Sequence, residues 1–400
     1  MAVEDYKDII HRCFRCGYCK FTHDCSYLGF NCPVYNKYRL ETYSPGGMIW
    51  LIYASLVRKE IEWSEHLTEI LYSCTMCKNC VAQCRFKFSE ELVNILQAAR
   101  EEVVDSRLVP PLVGRFLTNI YTYDNPYKGT REERGNWAEG TGVKRYEKGD
   151  EFLYYVGCVG SYDTTSKKAA TALGNVLLQC GLSFGILGGK EICDGNEVDM
   201  LGEKGLFEWL RERNIHMFKD LGVKKVVTLS PHSYNAMKND YSGEFEVFHY
   251  TQLLRDLIKS GKLDVSKGLN AKVTYHDPCF LGRYNNEYDA PREILGAIPG
   301  IELVEMERNR ENAFCCGGGG GNFYTDILGG GKDSPSRIRV REARDTGADI
   351  LAVACPICMM MLEDAVKTEG LEEGLVVKDI SEIVKGALCG FGARDRGFSE

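Results

Sequence analysis

No stretch of this 400-residue chain is both apolar enough and long enough to cross a bilayer. The nearest candidate, GMIWLIYASLV at Gly47–Val57, is too short; it leaves a buried helix, the expected reading, or an interfacial patch. Positive charge is not in excess either. Lysine and arginine number 49 against 57 acidic residues, and the formal net charge of −8 gives no general attraction to nucleic acid. The opening MAVEDYKDIIHR has no basic region followed by an apolar one. No secretory signal is therefore expected, and the predicted location is cytoplasmic, with any membrane association made through a partner or a peripheral contact. These absences change the meaning of what is abundant. In a chain without an export signal, 18 cysteines point to metal or redox chemistry in preference to a disulfide framework.

The length suits two or three domains with real hydrophobic cores. The first third carries CFRCGYCKFTHDCSYLGFNCPVY, where Cys13, Cys16 and Cys19 form a C-x2-C-x2-C run and Cys32-Pro33 follows. A second run, CTMCKNCVAQC, supplies Cys74, Cys77 and Cys80, then Cys84. Two such runs are the signature of a two-cluster 4Fe–4S ferredoxin module. Three cysteines at these steps in one tight loop can face three irons of one cube, while the fourth continues along the chain to the other cube. That pattern assigns Cys13, Cys16, Cys19 and Cys84 to one cluster, and Cys74, Cys77, Cys80 and Cys32 to the other. Zinc, the competing metal, favours two C-x2-C pairs over tandem triplets. Two departures stand out. Twelve residues separate Cys19 from Cys32, with Cys25 inside the insertion, and Cys32 is preferred as ligand because Pro33 follows it. Cys84 is followed by Arg85 where proline is expected. HLTEILYSC reads as a helix leading into the second run, and SEELVNILQAAREEVV carries an apolar stripe behind a cap-like Ser89. Residues 110–151 are polar, Gly-rich and weakly periodic, which predicts an extended connection. The expected division is a helical dicluster module at 1–108 and a linker at 109–150.

From Glu151 onward the chain repeats itself. FLYYVGCVG matches KVTYHDPCF, EICDGN matches AFCCGG, VVTLSPHSYNAM matches LAVACPICMMML, and FHYTQLL matches KDISEIV. The offset drifts as small loop insertions would make it drift, so a duplicated domain is expected, at 151–268 and 269–390. In each copy short apolar runs alternate with helical patterns. Asp163 or Thr164 can cap a helix through Leu178, SFGIL and KKVVTLS read as strands, and LFEWLRERNIHMFKDLG as a helix; PREILGAI precedes GIELVEM, and RIRVREARDTG precedes ADILAVA. This alternation predicts an α/β fold with a parallel sheet covered by helices in each copy.

Ligands on such sheets gather at the carboxyl ends of the strands. Cys158, Cys279 and Cys355 each follow a strand pattern. Pro356 suits a first helical turn, which would put Cys355 and Cys358 at a helix N-terminus, where thiolate is favoured. The stretch ENAFCCGGGGG sets Cys315 and Cys316 side by side before five glycines. Five thiols would thus share one sheet edge. Vicinal cysteines can grip adjacent irons, and glycines let backbone N–H groups approach sulfides where a Cβ would collide. The alternative for Gly317–Gly321 is a flexible surface loop. A nucleotide loop fits less well, because GGGKDS has Asp333 where a P-loop needs serine or threonine.

This five-cysteine constellation resembles the CCG domain of the heterodisulfide reductase family. A dicluster module followed by two such domains resembles the D-type subunit of that family, in which module and domains are fused in one chain. The resemblance covers nearly the whole sequence. It implies that a complete CCG motif binds a noncubane 4Fe–4S cluster through five cysteines, here Cys279, Cys315, Cys316, Cys355 and Cys358. The first copy departs from the motif. Cys158 remains and Cys193 matches Cys315, but Asp194 stands where Cys316 stands, and Ser230 and Ser233 replace Cys355 and Cys358. One noncubane cluster is therefore expected beside two cubane clusters, which argues against cleaving a heterodisulfide between two such clusters. The lost cluster could leave a pocket for a different ligand. Cys180 and Cys389 lie in apolar contexts and read as core residues. His232 and His276 are candidate proton donors near the cluster, the alternative being satisfied structural groups.

The expected function is an intracellular electron-transfer subunit that relays electrons between the clusters and a redox partner (a flavoprotein, ferredoxin or reductase subunit) in a multi-subunit complex. The resemblance extends to electron-transfer subunits paired with flavoproteins, quinone-linked oxidases and class II benzoyl-CoA reductases, the last in anaerobic aromatic degradation. Two further readings stand beside it: a reductase acting directly on a disulfide or another small substrate at the single CCG cluster, and a zinc-stabilised interaction protein.

Overall fold

Eight short runs rich in β-branched and aromatic residues set the frame of the last two thirds of the chain. In the computed structural model, which describes residues 2–22, 29–243 and 245–389, they are the strands β1 (Phe152–Tyr155), β2 (Phe184–Gly185), β3 (Lys225–Thr228), β4 (Glu246–His249), β5 (Ala271–Tyr275), β6 (Ile301–Leu303), β7 (Ile350–Val353) and β8 (Val376–Asp379). They form two parallel sheets with the same order, β2-β1-β3-β4 and β6-β5-β7-β8. The central strands β1 and β7 are buried along their whole length, as expected where helices cover both faces of a parallel sheet. The duplicated α/β architecture anticipated from the repeats is therefore the observed one. Corresponding residues align: Leu153 pairs with Val226 in the first sheet, and Thr274 with Leu351 in the second.

The two sheets share one hydrophobic core, which runs from Trp137 and Tyr154 through Tyr250 and Leu351 to Leu388. A second core joins the helical N-terminal module to the other side of the first sheet, with Ile49, Leu96 and Ile120 packed among Tyr155, Leu201 and Phe280. The GMIWLIYASLV segment is a buried helix, Pro45–Ile52, continued by a π-turn at Tyr53–Val57. Ser44 caps it by accepting from the Gly47 N–H at 3.0 Å, and Met48, Ile49 and Ile52 are buried. Among the described residues no helix is long and apolar enough to cross a membrane.

Two local expectations need correction. The helix expected behind Ser89 is Glu91–Asp105, and Glu90, with no side-chain cap, stands at its start. Residues 110–151 are not simply extended. They contain a helix, Pro111–Tyr123, begun by proline at its first turn and anchored by buried Val113, Phe116 and Ile120, and a 3-10 segment, Glu133–Ala138. The apolar spacing of three and four residues is helical, but polar neighbours and Gly114 dilute it.

Buried polar side chains lock the parts together. Arg100, fully buried, donates to Leu71 O (3.0 Å) and Cys74 O (2.7 Å) in the N-terminal module, to Met200 O (2.8 Å) in the first repeat and to Gly320 O (3.3 Å) in the second. Tyr72 Oη donates to Leu201 O at 3.0 Å, and Asn31 Nδ2 donates to Asn312 O at 3.0 Å.

Candidate metal centres

The cysteines of the N-terminal module fall into two groups. Cys19 has Cys13, Cys84 and Cys16 as its sulfur neighbours, while Cys32 has Cys77, Cys74 and Cys19. Cys84, the last cysteine of the second run, thus keeps company with the first run, and Cys32 with the second. Local structure explains how. Pro33 starts a helix with Cys32 at its N-cap, and the helix Asn79–Gln83 carries Cys80 and ends at Cys84. Cys80 has Cys74, Cys19, Cys77 and Cys32 around it, so Cys19 and Cys80 bring the two groups side by side. Cys16 is exposed and Cys13, Cys19 and Cys84 are half-buried, whereas Cys32, Cys77 and Cys80 are buried. Cys25 lies outside the described residues.

A third group sits at the carboxyl edge of the second sheet. Cys279 follows β5, Cys315 and Cys316 lie in the glycine loop, and Cys355 is the N-cap of the helix Pro356–Thr368 that follows β7. All five cysteines are buried. Cys316 Sγ lies 3.4 Å from Cys358 Sγ, and Cys315 is in contact with both Cys279 and Cys316. Backbone amides point at two of them: Gly317 N lies 3.3 Å from Cys315 Sγ, and Cys358 N lies 3.5 Å from Cys355 Sγ. Five buried thiols, two of them facing backbone N–H groups, are a donor set that fits soft metal, and iron with sulfide in particular.

The glycine run is buried, not a flexible surface loop, and its bareness has a more specific cause than access to sulfide. A Cβ on Gly319 would come within 2.8 Å of Thr75 O, and one on Gly320, at φ +62°, within 2.7 Å of Cys74 O. Gly318, whose Cβ would meet Ile357 at 2.6 Å and lie 3.7 Å from Cys316 Sγ, faces the sulfur group, as does the Gly317 N–H. The loop is stripped so that its backbone can lie on the Cys74–Cys77 turn of the N-terminal module. Cys77 touches Cys315 there, and Cys315 Sγ is 3.7 Å from Thr75 Oγ1. Arg283, half-buried beside Cys77, Cys279 and Cys315, donates to Cys77 O (2.6 Å) and Ala313 O (2.7 Å). Its charge would offset the negative charge of thiolates gathered at this seam.

In the first repeat the equivalent positions hold a different set. Ser230 is the N-cap of the helix Pro231–Asn239, its Oγ accepting from His232 N at 3.2 Å. Ser233 Oγ donates to Asp194 Oδ2 at 2.7 Å, and Asn196 N donates to Asp194 Oδ1 at 2.9 Å. Cys158 and Cys193 are in contact with one another, and Gly195 N lies 3.4 Å from Cys193 Sγ. Arg134, buried, lies with Nη2 3.4 Å from Cys158 Sγ and 3.0 Å from Glu191 Oε1. The Cys193 thiol, and against burial the Arg134 guanidinium, hold Cys158 below the usual thiol range. Arg134 is invisible to sequence reading, because it comes from a segment that reads as a linker. Glu191 stands inside a matched motif without any sign of its partner.

Both candidate histidines are buried near sulfur. His232 Nδ1 lies 2.6 Å from Glu197 Oε1, its ring packs on Phe280, and it also contacts Cys355. Burial opposes its charge, but Glu197 and Cys355 outweigh burial and raise its pKa. His276 shares a close group with Cys316 and Cys358. Arg339 Nε donates to His276 Nδ1 at 3.1 Å, and burial together with that guanidinium holds the ring neutral, its pKa lowered to about 3. His276 Nδ1 is therefore an acceptor toward Arg339. Cys180 is half-buried against the core of the two sheets, whereas the side chain of Cys389 lies outside those described.

Comparison with known proteins agrees with this geometry. A 4Fe-4S dicluster domain model matches residues 9–88, and the CCG cysteine-rich domain model matches twice, at residues 152–238 and 273–363. The chain is 39% identical to the probable iron-sulfur-binding oxidoreductase FadF of Bacillus subtilis and 35% identical to the EtfAB:quinone oxidoreductase of Syntrophomonas wolfei, over 80% of this chain in both cases. It spans about half the length of these relatives, 47% in both cases. It is also 34% identical to the D-type subunit of the dihydromethanophenazine:CoB--CoM heterodisulfide reductase of Methanosarcina barkeri, over 81% of this chain and 79% of that relative. With a dicluster module, two CCG domains and this coverage, the chain belongs to the iron–sulfur protein family of the heterodisulfide reductase D-type subunits.

Proposed function

We propose that this chain is an electron-transfer subunit that relays electrons between two cubane 4Fe–4S clusters and one noncubane 4Fe–4S cluster, and on to a partner redox enzyme. The observation that carries the reading is the continuity of the three cysteine groups: Cys19 beside Cys80, and Cys77 beside Cys315. Clusters held there would supply one-electron reduction and oxidation. In this reading Cys13, Cys16, Cys19 and Cys84 hold the outer cubane, Cys74, Cys77, Cys80 and Cys32 the inner cubane, and Cys279, Cys315, Cys316, Cys355 and Cys358 the noncubane cluster. The working parts are the module at 1–108, the connection at 109–150, and the repeats at 151–268 and 269–390.

The rim of the outer group indicates the kind of partner. Cys16 and Phe14 are exposed, and Arg12, Arg15, Arg85 and Lys87 are exposed around them, although the chain as a whole is acidic. Such a basic rim suits an acidic face on a flavoprotein, ferredoxin or reductase subunit. The name of the Syntrophomonas relative, an EtfAB:quinone oxidoreductase, is consistent with a complex of that class. Direct reduction of a small disulfide is the weaker reading. The cavity between the repeats, lined by Cys158, Ser230, His232, Tyr324 and Ile357, holds only about 30 Å³, room for a water molecule but not for a substrate.

The test is metal and sulfide analysis of anaerobically purified chain, with EPR of the reduced protein. About twelve irons per chain are expected, counting roughly four per cluster, with zinc absent. About eight irons would remove the noncubane assignment, and stoichiometric zinc without iron would remove the relay. Turnover of a small disulfide by the isolated chain would favour the reductase reading.

A further inference from the structure

We propose that Cys158 and Cys193, the two thiols of the first CCG domain, are a redox-active pair that closes reversibly to a disulfide inside the protein. The inference rests on the electron-relay reading above, because the clusters of that reading are the electron carriers it needs.

Four observations carry it. The two sulfurs are buried, touch one another and line one small cavity. Arg134 Nη2 lies 3.4 Å from Cys158 Sγ, and the guanidinium is fixed by Glu191, whose carboxylate accepts from Val156 N (3.1 Å) and Gly157 N (2.9 Å). A buried cation held against one thiol of a pair stabilises its thiolate, the form that forms and breaks disulfides. The arrangement is peculiar to this copy, since Ala313 occupies the position that matches Glu191. Finally, the pair is close to the other domain: Pro356 and Ile357 line the same cavity, and His232 spans from Glu197 to Cys355.

A metal explains these features less well. Asp194, the nearest oxygen donor, is already engaged by Ser233 and Asn196.

On closure, the Cys158 thiolate and the Cys193 thiol form one S–S bond, releasing two electrons and one proton. The electrons leave singly to the iron–sulfur carriers of the chain, and the proton goes to solvent. Opening consumes the same two electrons and one proton and breaks the S–S bond. The pair would thus couple a two-electron change to one-electron carriers.

Thiol trapping on the full chain with its clusters tests this. The protein is poised anaerobically with dithionite or with a mild oxidant, quenched in acid denaturant, alkylated, digested and read by mass spectrometry. A Cys158–Cys193 cross-linked peptide is expected in the oxidised sample and not in the reduced one. Coulometric titration should find two more electrons per chain than in the Cys158→Ser/Cys193→Ser variant, at equal iron content. The single variants Cys158→Ser and Cys193→Ser control for folding: in each, the remaining thiol should be alkylated at every potential while iron and circular dichroism stay at the wild-type level. Full alkylation of both wild-type thiols at every potential, with iron at about twelve per chain, would overturn the pair and leave the relay standing. Iron falling by a cluster's worth in the double variant would make these cysteines ligands, overturning the pair and the cluster count together.

Discussion

In the second CCG domain Cys316 Sγ lies 3.4 Å from Cys358 Sγ; at the equivalent point in the first, Ser233 Oγ donates to Asp194 Oδ2 at 2.7 Å. The frame around the two contacts is the same. Each lies at the carboxyl edge of a sheet with the same strand order, each has a helix N-terminus on one side, and each has a glycine amide on the neighbouring sulfur, Gly317 on Cys315 and Gly195 on Cys193. Only the donors differ. A serine hydroxyl and a carboxylate satisfy each other with a strong hydrogen bond, whereas two thiols do so poorly. The first domain is therefore closed by its own side chains, and the second keeps a buried, under-bonded sulfur group that a metal cluster would complete.

The largest effect that this contrast implies is at the vicinal pair. Cys316→Ser should lower iron from about twelve to about eight per chain and remove the noncubane spectrum, while the cubane signals persist. Its mirror image, Cys193→Ala in the first domain, should leave iron unchanged and cost on the order of 1 kcal/mol in packing. Metal analysis of the two variants side by side decides the matter. Equal iron loss would erase the distinction between the domains, and iron loss in neither would mean that Cys316 is no ligand.

The next effect concerns what holds the two domains to the module. Arg100 serves both, through Met200 O and Gly320 O, while gripping Leu71 O and Cys74 O. Arg100→Met roughly keeps the apolar stem but strands four carbonyls. A loss of about 3 kcal/mol is expected, as for hydrogen bonds to a buried charge. It should show as a lower anaerobic melting temperature and faster proteolysis between the module and the repeats. An unchanged melting curve would mean that the hydrophobic seam alone sets the docking.

Much of this comparison was legible in the sequence, for identifiable reasons. Cysteine triplets, the vicinal pair and Cys355-Pro-Ile-Cys358 have few other uses, and the internal repeat sets Asp194, Ser230 and Ser233 opposite cysteines. Local patterns place the helices and strands because apolar periodicity survives in a single sequence. What stays hidden depends on long-range contact. Arg100, Arg134 and Arg283 look like ordinary surface arginines until the fold sets them beside Cys74, Cys158 and Cys77. The glycine run reads as room for sulfide, whereas its main neighbour is the backbone of Cys74 and Thr75, more than 240 residues earlier. No spacing rule reports that kind of contact.

The smallest expected effect lies far from the sulfurs, where the two copies place a base and an acid at one equivalent position. His249 ends β4 and Asp379 ends β8, and the match of FHYTQLL with KDISEIV makes them equivalents. Both are fully buried. Burial lowers His249 to about 3, below its ordinary 6.5, and its Nδ1 lies 2.7 Å from Thr251 Oγ1. Burial raises Asp379 to about 7, above its ordinary 3.8, although Ser381 and Tyr250 both donate to it. The folded state thus keeps each group neutral, and the linkage runs in opposite directions. The stability held by neutral His249 is complete above pH 6.5 and is lost as pH falls toward 3. That held by protonated Asp379 is complete below pH 3.8 and is lost as pH rises toward 7. Between about pH 4 and 6.5 the slopes of these two groups oppose one another and nearly cancel. Asp379→Asn removes one falling slope, and its stability should rise more steeply with pH than the wild type's across that window. His249→Gln removes one rising slope, and its stability should fall with pH relative to the wild type's. Urea unfolding followed by circular dichroism at about pH 5, 5.8 and 6.5 spans that window and measures all three chains. Parallel profiles in the two variants would show that these positions do not titrate as their burial implies.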